Sequence, residues 1–314
     1  MSPSNDATPK TLILTGAAGL VGQNLTRHLR RRKDLRIIAI DKHKENNVLL
    51  SRMNPGVHVI TADLAEPGPW QDHFTDAAAV VQLHMQAKGS SREVFERNNV
   101  MATRRVLEQM TLKGVPHLVH LSSAAVHSKA TDHYSTTKAE QEALVRAGTI
   151  PHCILRPTLL YGPMDPKHLG WLSRFMRKTP VFPIPGMGRF VRQPIYVRDL
   201  CKVIEVCIDR RIHDEIYDLV GVESILYIDL IREIRRAVNA RTLIAPLPVS
   251  LFGAMLDMYG WVSSKPAFTR DQLEALAVGD IFQGVDMEET FGVKATPFCV
   301  GVRESFGKGN DPIR

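Results

Sequence analysis

Tyr134 and Lys138 stand four residues apart in HYSTTKAE, and Ser123 lies 11 residues before the tyrosine. On a helix, positions i and i+4 share a face, so the lysine ammonium can sit beside the phenol oxygen. A tyrosine with a reference pKa of about 10 needs a shift of about three units, roughly 4 kcal/mol, to serve as a base near neutrality. One positive charge about 4 Å away in an effective dielectric of about 20 supplies on the order of that amount. Such a pair can take the proton of an alcohol as the carbinol hydride departs, with Ser123 hydrogen-bonding the same oxygen. Run backwards, the same atoms reduce a ketone.

A hydride needs an acceptor, and TLILTGAAGLVGQNL, residues 11–25, is built to hold one. Gly16, Gly19 and Gly22 follow an apolar run and open a helical pattern. After a strand, one glycine makes the tight turn, a second lets a pyrophosphate approach the backbone, and a third lets helix and strand pack closely. The phosphates then rest on the helix N-terminus. Asp41 ends the second apolar run 19 residues beyond Gly22, where a carboxylate can hold the adenosine ribose hydroxyls. It favours NAD over NADP, whose 2′-phosphate it repels, although Lys42 and Lys44 beside it weaken that preference and leave NADP possible.

The elements that must position these groups are legible as alternation. Short apolar runs at 12–15, 36–41, 58–63, 79–84, 117–123 and 152–157 are separated by segments with apolar residues at helical spacing, such as Val21, Leu25 and Leu29. Strand, helix, strand in succession predicts an α/β fold: a Rossmann-type, doubly wound parallel sheet covered on both faces. The expected organisation is a disordered tail over 1–10 and a dinucleotide-binding domain over 11–161, with 194–220 returning to its sheet. Residues 162–193 and 221–314 form a smaller C-terminal substrate-binding lobe, rich at first in Gly, Pro and Met.

Composition narrows the function further. The 314 residues are 44% hydrophobic, enough for a large core, and the four scattered cysteines carry no CxxC or His pairing that would suggest zinc or a disulfide scaffold. No residue set is assigned to a metal. The polar start lacks a hydrophobic signal core, and no apolar run reaches the roughly 20 residues of a spanning helix, so a cytoplasmic protein without a transmembrane segment is expected. The formal charge is +7, and from Lys167 to Arg198 seven basic residues occur with no Asp or Glu, a bias toward an anionic partner. Aromatic and basic residues do not interleave in the manner that stacks bases, which counts against nucleic acid.

The GAAGLVG spacing together with Tyr134-Ser-Thr-Thr-Lys138 resembles the short-chain dehydrogenase/reductase superfamily, specifically its extended nucleotide-sugar epimerase/dehydratase branch. Asp63-Leu64, Asn99, Ser123, Arg156-Pro157, Tyr161-Gly162-Pro163 and RQPIYVRDL at 192–200 extend the likeness over nearly the whole chain. The resemblance implies NAD as cofactor, Asp63 at the adenine, Asn99 supporting the active-site helix, and Ser123, Tyr134 and Lys138 as the catalytic set. It also implies cofactor contacts from Leu20, Val21, Leu64, Leu83 and Pro157, and Arg192 at the substrate diphosphate. A homodimer through a four-helix bundle built from residues 92–110 and 134–147 is a further implication.

The chain departs from the branch at His84, Met85 and Gln86, where small residues usually lie beside the cofactor, and at His127, which replaces a common tyrosine. His84, Gln86, His127, Arg192 and Tyr196 are therefore the expected substrate contacts, with His84 read first as a hydrogen-bonded filler. Residues 246–262 read first as a core or lid helix and secondarily as a contact with a membrane surface. The leading expectation is an NAD(P)-dependent epimerase or oxidoreductase acting at C4 of a nucleotide sugar such as a UDP-hexose. A 3β-hydroxysteroid or lipid-alcohol dehydrogenase is the first alternative. The second is a non-catalytic dinucleotide-binding subunit, suggested by PAFTRDQLEAL at 266–276.

Overall fold

A computed structural model of the chain describes residues 8–89, 91–128, 132–262, 273 and 281–307. Apart from Leu273, the PAFTRDQLEAL segment lies outside the described residues, as do residues 1–7 of the expected tail. Seven strands make one sheet: β1 Lys10–Thr15, β2 Leu35–Asp41, β3 His58–Thr61, β4 Ala77–Gln82, β5 Leu118–Leu121, β6 His152–Pro157 and β7 Glu215–Leu219. Their order is β7-β6-β5-β4-β1-β2-β3, and every neighbouring pair is parallel. The Rossmann-type expectation is met.

Both faces of the sheet are covered. On one face, Leu12, Leu14, Val81 and Leu155 pack under helix α1 (Leu20–Leu29) and the helix Val197–Asp209. On the other, Ile13, Val80, Leu118 and Ile154 meet Val106, Met110 and Val145. These last come from helix α2, which runs without a break over 92–113, and helix α3 (His133–Ala147). Alternate residues of each strand thus feed two cores, the pattern of a sheet buried on both faces. Strand order reverses direction of growth between β1 and β4, and the crevice at their C-terminal ends is where open α/β sheets bind ligands.

Two boundaries differ from the sequence reading. Lys10 already pairs with Leu35, so the ordered fold begins inside the expected tail. Of the returning segment 194–220, only β7 joins the central sheet; Ile195–Tyr196 instead pairs with Leu160–Tyr161 in a separate two-stranded ribbon. The edge of β6 is already taken by β7, with Leu219 opposite Pro157. The second lobe has its own core, in which Leu172, Ile184, Leu230, Ile234, Phe298 and Val302 gather around buried Tyr161.

Candidate active site

The glycine turn lies at the crevice for a steric reason. Gly16 has φ +67°, and a Cβ there would fall 2.5 Å from the His84 backbone nitrogen at the end of β4. At Gly22 a Cβ would fall 2.5 Å from the Ala17 backbone, so helix α1 could not approach the turn. Gly19 is the N-cap of α1 and supplies no side-chain cap, which leaves the first-turn amides around Leu20 and Val21 for a phosphate. Asp41 is 8% exposed and reaches back to this turn: its Oδ2 accepts from Ala18 N at 3.1 Å and its Oδ1 from His43 N at 2.9 Å. Lys42, which weakens the preference for NAD on sequence grounds, is tied by Nζ to Asn98 Oδ1 at 2.6 Å. A dinucleotide fits this cradle: a turn without side chains, an uncapped helix start and a carboxylate at the end of β2.

Asp63 and Leu64 follow β3, with Leu64 buried and Asp63 Oδ2 accepting from Arg97 Nη1 at 2.7 Å. Burial opposes ionisation of Asp63, but the Arg97 hydrogen bond and the Ala65 amide outweigh it and hold the carboxyl below its usual pKa. Leu83 and Pro157 are buried at the C-terminal ends of β4 and β6.

The proposed acid/base groups come together on α3. Asp132 caps this helix through Ser135 N at 2.7 Å, which sets the register that presents Tyr134 and Lys138. Ser123, N-cap of the short 3-10 turn Ala124–His127, accepts from Ala125 N at 3.2 Å, and its hydroxyl lowers the pKa of the nearby Tyr134 phenol. Lys138 is fully buried and donates from Nζ to the Leu121 carbonyl at 2.8 Å.

One electrostatic expectation is corrected. Burial raises the Tyr134 pKa above 10.0 with a smaller push from Asp132, and the Ser123 hydrogen bond only partly opposes it. The predicted lowering by Lys138 is not among the influences on the phenol, and burial drives the lysine itself down, to about 7, with Glu142 partly restoring it. Near neutrality Tyr134 is therefore a protonated phenol and Lys138 an amine close to half protonation.

Around this pair lies a polar layer that sequence reasoning largely missed. Residues Glu96–Met101 of α2 form a π-helical stretch. It carries Asn99, fully buried, whose Oδ1 accepts from Gln86 N at 2.6 Å and whose Nδ2 donates to Thr137 Oγ1 at 2.9 Å. Asn99 thus ties the loop after β4 to the active-site helix. Thr103 Oγ1 gathers Gln82 Nε2 at 2.7 Å and Gln141 Nε2 at 2.8 Å. His84 bridges the layer to β1, with Nδ1 2.8 Å from Thr15 Oγ1 and Nε2 3.3 Å from Thr103 Oγ1. Burial first, then the charges of Lys138 and Lys42, hold its pKa down to about 3. Its ring props the strand end and stays neutral at working pH, the filler role read first. Glu142, four residues beyond Lys138, accepts from Arg156 Nε at 2.9 Å and also pairs with Nη2. The i+4 spacing from Lys138 was the available signal for Glu142.

Of the remaining expected substrate contacts, Gln86 is held in the cleft by Asn98 and Asn99. His127 is exposed at the C-terminal end of the sheet, with Nε2 3.1 Å from Asp218 Oδ1 and 3.0 Å from Arg156 Nη1. Arg192 lies on a ribbon with Ile225, its Nη1 donating to the Val191 carbonyl. Tyr196 takes a packing position instead: it is buried against Tyr161, and its hydroxyl donates to Glu304 Oε2 at 2.9 Å. A side chain committed to the lobe's own core does not present its ring to a ligand.

Buried neutral histidines make a stability prediction. Burial lowers the pKa of His84, His117 and His120 below 6.5. Between about pH 6.5 and 4 the unfolded chain binds more protons than the folded one, so stability falls as pH falls, by up to about 1.4 kcal/mol per pH unit for each histidine. Denaturant midpoints measured from pH 7 to 4 should decline steadily; a flat profile would contradict these placements.

The fold and the glycine cradle together define a dinucleotide-binding protein. Residues 12–219 match the NAD dependent epimerase/dehydratase family, and the chain belongs to it. NAD is the family's cofactor. The chain is 22% identical over 276 residues to the UDP-glucose 4-epimerase of Vibrio cholerae, covering 79% of this chain and 82% of that protein. It is 24% identical over 271 residues to the ceramide reductase of Caulobacter vibrioides, covering 81% and 80%. The fold matches a UDP-glucuronic acid 4-epimerase from Bacillus cereus, solved with UDP-glucuronic acid and NAD, with a TM-score of 0.73, 19% identity and coverage of 94% and 98%.

Proposed function

We propose that the protein oxidises the C4 hydroxyl of a nucleotide sugar such as a UDP-hexose to a transient ketone, and that it then either returns the hydride to the opposite face or releases the product. The observation that supports this reading is Tyr134 one helical turn before buried Lys138 on α3, whose Nζ bonds the end of β5 next to the crevice where the glycine turn admits no side chain. Bound NAD⁺ supplies the hydride acceptor and a positive ring charge. Tyr134 takes the hydroxyl proton as the carbinol C–H bond breaks, and Ser123 hydrogen-bonds the developing carbonyl oxygen. Lys138, close to its titration midpoint, steadies the phenolate when protonated. Asn99 and Thr137 hold the helix so that these atoms stay in register.

Arg192 is assigned to the substrate diphosphate, for which a guanidinium fork is suited. Arg192→Ala should raise KM for the nucleotide sugar about tenfold or more, the scale of one charge-assisted hydrogen bond, with kcat little changed. An unchanged KM would favour the second reading, a lipid-alcohol dehydrogenase, which the likeness to a ceramide reductase supports. Thermal stabilisation by nucleotide sugars in the presence of NAD separates the two, because a ligand that binds the folded state raises its apparent stability. We also place a homodimer contact on α2 and α3. Retention of Ser123, Tyr134 and Lys138 weighs against a non-catalytic subunit.

A further inference from the structure

We propose that the substrate lobe carries a docking surface for an anionic lipid membrane, formed by the outer face of the helix Val249–Val262 and the arginine-lined cleft beside it. The helix packs by Phe252 and Leu256, which are buried with Leu273 against half-buried Leu247. Its opposite side turns Leu251, Met255 and Met258 outward at i, i+4 and i+7, with Leu251 55% and Met258 65% exposed. A helix on a water-facing surface normally places polar residues there; over 249–258 this one exposes Val249, Leu251, Met255 and Met258 and, of polar residues, exposed Ser250 and half-buried Asp257. No described helix is long and apolar enough to cross a membrane, so such a face calls for a peripheral contact.

The neighbouring surface continues the pattern. A cleft of ≈ 540 Å³ is lined by Met187, Leu226 and Leu243, all exposed, together with Arg189, Arg232 and Arg235. Against these three arginines the lining holds a single acid, Asp229, whose Oδ1 accepts from Arg232 at 2.9 Å. Arg241, just before Leu243, adds another exposed cation. Apolar side chains ringed by arginines suit an interface where hydrocarbon lies beneath phosphate headgroups. Charge also decides between occupants, because a second copy seated across a two-fold axis would set the same arginines against one another. The proposal is independent of whether the alcohol substrate is a sugar or a lipid.

The test is co-sedimentation of the purified protein with vesicles of phosphatidylcholine alone and of phosphatidylcholine mixed with phosphatidylglycerol. Binding should be at least about tenfold stronger to the mixed vesicles and should weaken with added salt, since each arginine near an anionic surface contributes about fivefold. The triple variant Leu251→Ser, Met255→Ser, Met258→Ser and the double variant Arg189→Glu, Arg232→Glu should each lose about tenfold or more while retaining NAD affinity, which shows that they fold. Equal affinity for both vesicle types, absence of binding, or undiminished binding by the triple variant would overturn the proposal. So would a dimer that the triple variant dissociates, because the face would then belong to a second copy.

Discussion

Tyr134→Phe should lower turnover by about three orders of magnitude while NAD affinity stays within about twofold. The size follows from what a positioned acid/base contributes, on the order of 10²–10⁴ in rate. The substitution removes one oxygen and leaves the ring, so the cradle of Gly16, Asp41 and α1 is untouched. The pH dependence gives a second readout. Burial keeps the phenol protonated near neutrality, while Lys138, at about 7, loses the charge that steadies the phenolate as pH rises, so hydroxyl oxidation by the native protein should pass through a maximum with pH. Residual activity of the phenylalanine variant should be flat over the same range. Undiminished turnover would remove Tyr134 from the reaction.

Gly16→Ala should weaken NAD binding by about a hundredfold or more and destabilise the fold by a few kcal/mol. Two costs add. A non-glycine residue at φ +67° costs about 1 kcal/mol, and the new Cβ would lie 2.5 Å from His84 N and 2.8 Å from the Leu83 carbonyl carbon. Those neighbours are backbone and cannot swing aside, so the ends of β1 and β4 must separate at the crevice that receives the dinucleotide. Gly114→Ala is the matched control: Gly114 also has positive φ, +64°, but nothing lies within 4 Å of its Cβ position. It should cost only about 1 kcal/mol and leave NAD affinity unchanged. Calorimetric titration with NAD and thermal unfolding of both variants measure the contrast; equal losses would show that close approach at Gly16 is not the reason for the glycine.

The sheet was legible because its strands are buried on both faces and stand out as apolar runs between helical patterns. Asp41 and the glycines were legible because their chemistry leaves few substitutes. What escaped was the polar layer. Gln82, Thr103, Thr137 and Gln141 look like ordinary helix and strand residues, and only the fold shows that they meet Asn99 and His84. The π-helical stretch that aims Asn99 has no periodic signature of its own. Tyr196 was misread because its motif places it near a ligand, whereas its ring completes the core around Tyr161. The electrostatics of Tyr134 and Lys138 differ from the sequence expectation for another reason: spacing says nothing of desolvation, and burial is the largest influence on both groups.

The most direct test of the account is isotopic. The alcohol that stabilises the protein in the presence of NAD is prepared with deuterium on its carbinol carbon and turned over in ordinary water. The account predicts a primary isotope effect, with deuterium recovered on the nicotinamide or retained in the product and none lost to solvent. Product that forms while the deuterium washes out into water would contradict it, because the carbon would then be losing a proton and not a hydride.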